Sequence, residues 1–127
     1  MSLDLDMGGM IDLIAEIESG GNLYAMGDHG KAYGVLQIQQ GCLTDVNKAN
    51  GTHWKLEDLL GNRELSEWVF REYMKLYATE ARLGRPVTAV DMAGIWNGGP
   101  NGWRKPLTQA YRDRFVRLAN IRGVVIA

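Results

Sequence analysis

Glu18 is the residue whose place in the sequence points most directly to chemistry. Met10, Ile11, Leu13, Ile14 and Ile17 recur at helical spacing, and Ser19-Gly20-Gly21 stops that helix. With Met10 set at zero on a wheel of about 100° per residue, Ile14 falls near ~40°, Ile11 near ~100° and Glu18 near ~80°, between them. Glu16 and Asp12 fall near ~240° and ~200°, toward solvent. The spacing therefore predicts a carboxyl on the apolar stripe, in the last helical turn. Partial desolvation and the negative end of the helix dipole both disfavour its ionised form there. A carboxylic acid that keeps its proton near neutral pH is what general acid catalysis requires. The alternative is a Glu18 that rims the stripe or bonds a loop amide.

Other chemistry-bearing types are sparse. Gly27, Gly30 and Gly34 punctuate one segment, but no Gly-Lys-Ser/Thr follows and no dinucleotide fingerprint is present, which argues against phosphate binding. Asp28 within that segment reads either as a second acid or as an Asx-turn residue. His29 and His53 read as surface residues, and no pair sits at metal-ligand spacing, so neither a metal nor any other cofactor is called for. The single Cys42 excludes an intrachain disulfide and cysteine-based zinc or redox motifs.

The elements that must hold these residues are mostly helical. Asn22 to Gln40 is too interrupted for helix and reads as turns with a short strand pair ending in Tyr33–Ile38. A short helix is predicted around Cys42 to Lys48, ended by Asn50-Gly51, and one further turn at Leu56 to Leu60. The longest helix is predicted from Arg63 to Leu83, with Leu65, Trp68, Val69, Tyr73, Leu76 and Tyr77 on one stripe. Thr88 with Asp91 reads as a capping box for a helix carrying Val90, Met92, Ala93 and Ile95, which stops at Asn97-Gly98-Gly99-Pro100. Thr108 is expected to cap a last helix with Tyr111, Phe115 and Leu118 facing inward.

The 127 residues suit one domain, 46% of them hydrophobic and 23% charged. Fourteen Lys plus Arg nearly cancel fifteen Asp plus Glu, for a net charge of -1, which argues against a nucleic-acid partner and against docking on anionic lipid. No apolar run approaches the roughly 20 residues of a membrane span. Residues 1–6 contain neither a basic nor an apolar signal region and read as a disordered or vector-derived leader.

Three blocks carry a family resemblance. Glu18-Ser19-Gly20-Gly21-Asn22 resembles the catalytic Glu-Ser segment of soluble lytic transglycosylases and goose-type lysozymes. Gly27-Asp28-His29-Gly30-Lys31-Ala32-Tyr33-Gly34-Val35-Leu36-Gln37-Ile38 resembles their Gly-Asp-x-Gly-x-x-Phe-Gly-Leu-Met-Gln segment. Ile95-Trp96-Asn97-Gly98-Gly99-Pro100 resembles their Ala-Tyr-Asn-Ala-Gly-Pro segment. The blocks occur in the family's order, and the resemblance as a whole reaches over about residues 11 to 118.

The resemblance implies a lysozyme-like α+β fold: a single helical domain with a small Gly-rich β region beside a groove for peptidoglycan glycan strands. It implies a monomer acting outside the cytoplasm (periplasmic, secreted or phage-delivered), with the export signal absent from this chain. Carried over by position, Glu18 is the general acid on the glycosidic oxygen, and Ser19 helps hold the carboxyl or the substrate. Gly34 lets the backbone approach the sugar, Gln37 hydrogen-bonds substrate, and Asn97 holds the loop that closes the site. Tyr33, at the family's Phe position, and Trp96, at its Tyr position, join the substrate-binding set; Trp96 is otherwise a core residue. Goose-type enzymes have Asp where this chain has Gln39, so the second carboxylate falls to Asp28, or more remotely to Asp45.

The implied reaction cuts the β-1,4 bond between N-acetylmuramic acid and N-acetylglucosamine. Asp28 as base to a water makes a lysozyme; attack by the muramic acid 6-hydroxyl makes a lytic transglycosylase. The competing readings are a catalytically inactive glycan-binding or structural module, as in a phage tail or secretion apparatus, and a chitinase-like activity.

Overall fold

Apolar residues at three- and four-residue spacing turn most of the chain into helix. The computed structural model describes residues 7–126; the leader read at residues 1–6 lies outside them. Among the described residues the helices are α1 (Met7–Ser19), α2 (Gln40–Asn50), α3 (Arg63–Tyr77), α4 (Glu80–Leu83), α5 (Ala89–Gly98) and α6 (Gln109–Arg122). One small antiparallel sheet joins β1 (Met26–Gly27) to β2 (Ala32–Tyr33), with Met26 opposite Tyr33 and Gly27 opposite Ala32. The fold is mostly helical with a minor β element. Among the described residues there are two compact units: 15–73, and 74–126 together with 7–14.

Within the Ala15–Tyr73 unit, Val35, Leu36, Ile38, Leu43, Val46, Leu59, Val69 and Phe70 are buried. Burying each such side chain contributes about 1.5–3 kcal/mol. The strand expected through Ile38 ends at Tyr33. Gly34 (φ 83°) and Gln37 (φ 54°) take left-handed backbone, which an extended strand does not accommodate. The chain reverses there, and Tyr33 and Ile38 exchange N–H to O bonds of 2.9 and 3.0 Å. α2 ends as expected, on left-handed Gly51.

The long helix expected from Arg63 to Leu83 is two helices. α3 stops at Tyr77, and Thr79 starts α4 by accepting a hydrogen bond from the Arg82 N–H at 3.2 Å. Threonine competes well for that capping position, and the apolar spacing, which runs on through Leu83, conceals the break. The buried stripe of α3 is also displaced from the expected one. Leu65, Ser66, Val69, Phe70, Tyr73 and Met74 are buried, whereas Trp68, Leu76 and Tyr77 are half-buried.

In the other unit, α5 begins with the expected capping box. The Thr88 N–H donates to Asp91 Oδ2 at 2.9 Å, and the Asp91 N–H donates to Thr88 Oγ1 at 3.1 Å. Arg85 grips the same carboxylate with two bonds of 2.7 Å. Met92, Ala93 and Ile95 of α5 are buried, as are Phe115 and Ala119 of α6, the helix it packs against. Gly94 and Gly102 meet backbone to backbone: a Cβ on Gly94 would lie 2.8 Å from the Gly102 oxygen. Thr108 precedes α6 but does not cap it with its side chain. Its buried hydroxyl donates to Gly102 O at 2.6 Å instead, because at ψ 0° its backbone already continues the preceding 3-10 turn.

Candidate active site

The end of α1 carries Glu18 and Ser19. Both are half-buried on its last turn. Glu16, expected toward solvent, is half-buried as well, while Asp12 is exposed. Left-handed Gly20 and Gly21 then turn the chain out of the helix. The Ser19 hydroxyl donates to Val35 O at 2.8 Å and lies 3.2 Å from Ala15 O. That bond fastens the Glu18-Ser19 turn to the Gly34–Gln37 reversal.

The reversal is tightly specified. A Cβ on Gly34 would lie 2.9 Å from Leu59 O and 3.4 Å from Ser66 Oγ, so both its φ and its neighbours demand glycine. The Gly34 N–H donates to Ala25 O at 2.8 Å. The Gln37 side-chain amide donates to Gly34 O at 2.9 Å and to Ala25 O at 3.2 Å. Its carbonyl oxygen occupies the space that a side chain on Gly27 would need. Gln37 thus spends its donors bracing the loop, and its oxygen lies against Gly27. Tyr33 is half-buried in β2.

Among the described residues, the left-handed non-glycine positions are Asp28, His29 and Gln37. Each such residue costs about 1 kcal/mol or more, and strain of this kind tends to gather at functional sites. Asp28 is exposed at the start of the β1–β2 connection, and its Oδ2 accepts from Gln39 Nε2 at 3.0 Å. Asp45 lies half-buried on α2. Burial, together with the charge of Asp45, pushes the Cys42 thiol up to about 12, so Cys42 offers no thiolate at neutral pH.

Trp96 and Asn97 belong to the other unit, on the last turn of α5. Trp96 is half-buried and Asn97 exposed. Two side chains that the sequence did not single out hold the loop that follows them. Arg82 donates to Tyr77 O at 2.8 Å, Pro100 O at 2.9 Å and Asn101 Oδ1 at 3.0 Å. Lys105 Nζ donates to Gly98 O at 2.9 Å. Surface cations clamping backbone carbonyls leave no periodic signal in the sequence.

An open depression of about 470 Å³ on α3, lined by Glu64, Glu67, Trp68 and Arg71, contains none of the candidate residues. His29 and His53 are exposed, as expected. Among the described residues, no group of three or more His, Cys, Asp or Glu is arranged to hold a metal ion. No helix among them is long and apolar enough to cross a membrane. Compared with family models and with curated proteins, the chain matches none.

Proposed function

We propose that this chain is a peptidoglycan glycosidase of the lysozyme and lytic transglycosylase type, with Glu18 as general acid. The observation that carries the reading is the Ser19 Oγ to Val35 O bond of 2.8 Å. It joins two segments that resemble the family's motifs at the carboxylate-bearing turn. The left-handed residues within the second segment lend further support. In this reading Glu18 protonates the glycosidic oxygen as an oxocarbenium-like centre develops. Ser19, Tyr33 and Gly34 position the glycan, Gln37 braces their loop, and Asp28 activates water or, in the transglycosylase version, is dispensable.

Digestion of purified peptidoglycan tests the proposal directly. Release of muropeptides, lost in Glu18→Gln, is the expected result, and mass spectrometry of the new ends separates reducing from 1,6-anhydro products. An inert wild-type protein that still binds the glycan would favour the non-catalytic module instead.

A further inference from the structure

Tyr24 is 70% exposed, yet it is seated rather than loose. The Tyr24 N–H donates to Asn22 Oδ1 at 2.9 Å. On either side, Leu23 O accepts from the Gly61 N–H at 2.8 Å, and Ala25 O accepts from the Gly34 N–H at 2.8 Å. The ring itself rests over Gly61, where a Cβ would lie 2.7 Å from Cε1 and Oη and 2.8 Å from Cζ. One part of the ring is therefore supported by bare backbone while most of it faces water. Leu23 and Met26, at 36% and 53% exposed, extend the apolar surface.

An aromatic ring buries 150–250 Å² when it can, so holding one open to solvent forgoes a large hydrophobic gain. Such a ring suits a ligand that is flat, part apolar and part hydroxylated, as the C–H face of a pyranose is. The loop bearing it is bonded to both segments of the candidate site: the Asn22 N–H donates to Ser19 O at 3.2 Å, and Ala25 O accepts from Gly34. We infer that Tyr24 is a stacking platform for an N-acetylated pyranose of the glycan, a binding residue beyond those named above. The inference rests on the reading of Glu18 as a glycosidase acid.

The test measures binding of the N-acetylglucosamine hexasaccharide by calorimetry in a Glu18→Gln background, and peptidoglycan turnover in the wild-type background. Tyr24→Ala is expected to weaken hexasaccharide binding about 3- to 10-fold and to raise KM more than it lowers kcat. Tyr24→Phe keeps the ring and is expected to retain both, which separates stacking from a role of the hydroxyl. Gly61→Ala, which displaces the ring, is expected to move binding in the same direction as Tyr24→Ala. Unchanged binding in Tyr24→Ala, or an equal loss in Tyr24→Phe, overturns the inference. Wild-type protein that binds the hexasaccharide but cleaves nothing refutes the role of Glu18, and the binding series still decides that of Tyr24. Absence of hexasaccharide binding refutes the platform itself.

Discussion

The side-chain amide of Gln39 donates to Asp28 Oδ2 at 3.0 Å, so two positions considered for a second carboxylate are direct neighbours. On the proposed reading, the position of Gln39 is one where goose-type enzymes carry Asp. Here a neutral donor stands there and holds the Asp28 carboxyl in place. If water is the nucleophile, Asp28→Asn lowers hydrolysis about 10²–10⁴-fold. Asparagine tolerates the left-handed backbone, so the melting temperature should hold. A variant that keeps its activity and makes only anhydro ends would assign the attack to the substrate hydroxyl.

Glu18→Gln is expected to fold normally and lose nearly all muralytic activity, since an amide of the same shape has no acidic proton to give. Glu16 is half-buried two residues earlier, so burial alone does not distinguish the pair. Glu16→Gln should nonetheless leave turnover close to wild type. Turbidity assays on cell-wall suspensions compare the two, and equal losses would refute the assignment of Glu18.

Ser19→Ala removes the donor to Val35 O and is expected to cost about 1 kcal/mol of stability. Because that bond fixes the Glu18 turn, activity should fall by more than the melting temperature suggests. Ser19→Thr retains a hydroxyl, and partial recovery of activity is the expected outcome. Failure of threonine to improve on alanine would detach the bond from function.

Gly34→Ala places a methyl group against Leu59 O at a left-handed position. The strain alone is worth about 1–3 kcal/mol, and the clash adds to it. Chemical denaturation should show the loss as a lower midpoint with little change in slope.

Burial would raise the Asp91 carboxyl, but hydrogen bonds from Arg85 and Thr88 and the nearby Arg85 charge outweigh it and hold the group below its usual range. The stabilisation is therefore present above the unfolded-state value of about 3.9 and is lost as pH falls through the lower folded-state value. Asp91→Ala should destabilise the protein by about 1–2 kcal/mol at neutral pH, through the lost cap and ion pair. Thermal melts should show the gap narrowing below pH ~4. A gap independent of pH would mean that packing, not charge, accounts for it.

Helices announce themselves in this sequence wherever a stop or cap coincides with the apolar spacing. Gly20, Gly51 and the Thr88–Asp91 box end or begin helices where local chemistry says they must. The break at Thr79 escaped because the periodicity runs through it and a single hydroxyl decides the outcome. The left-handed Gln37 escaped for a different reason. Nothing in Val35-Leu36-Gln37-Ile38 disfavours a strand locally; the turn is enforced by bonds to Ala25 and Gly34. At the candidate site, the residue types and order were legible. The bracing by Ser19, Gln37, Arg82 and Lys105 was not, because each reaches a carbonyl that only the folded backbone supplies.

Gly94 and Gly102 press main chain to main chain at the two ends of the segment that carries Trp96 and Asn97. No side chain stands between these footings to yield under load. The intervening residues form an arch, closed further by the Gly102 N–H to Gly99 O bond of 2.7 Å. With bare backbone against bare backbone at both ends, the side chains of this segment have more room to change than its main chain has. A methyl group at either footing would have to lift the whole span.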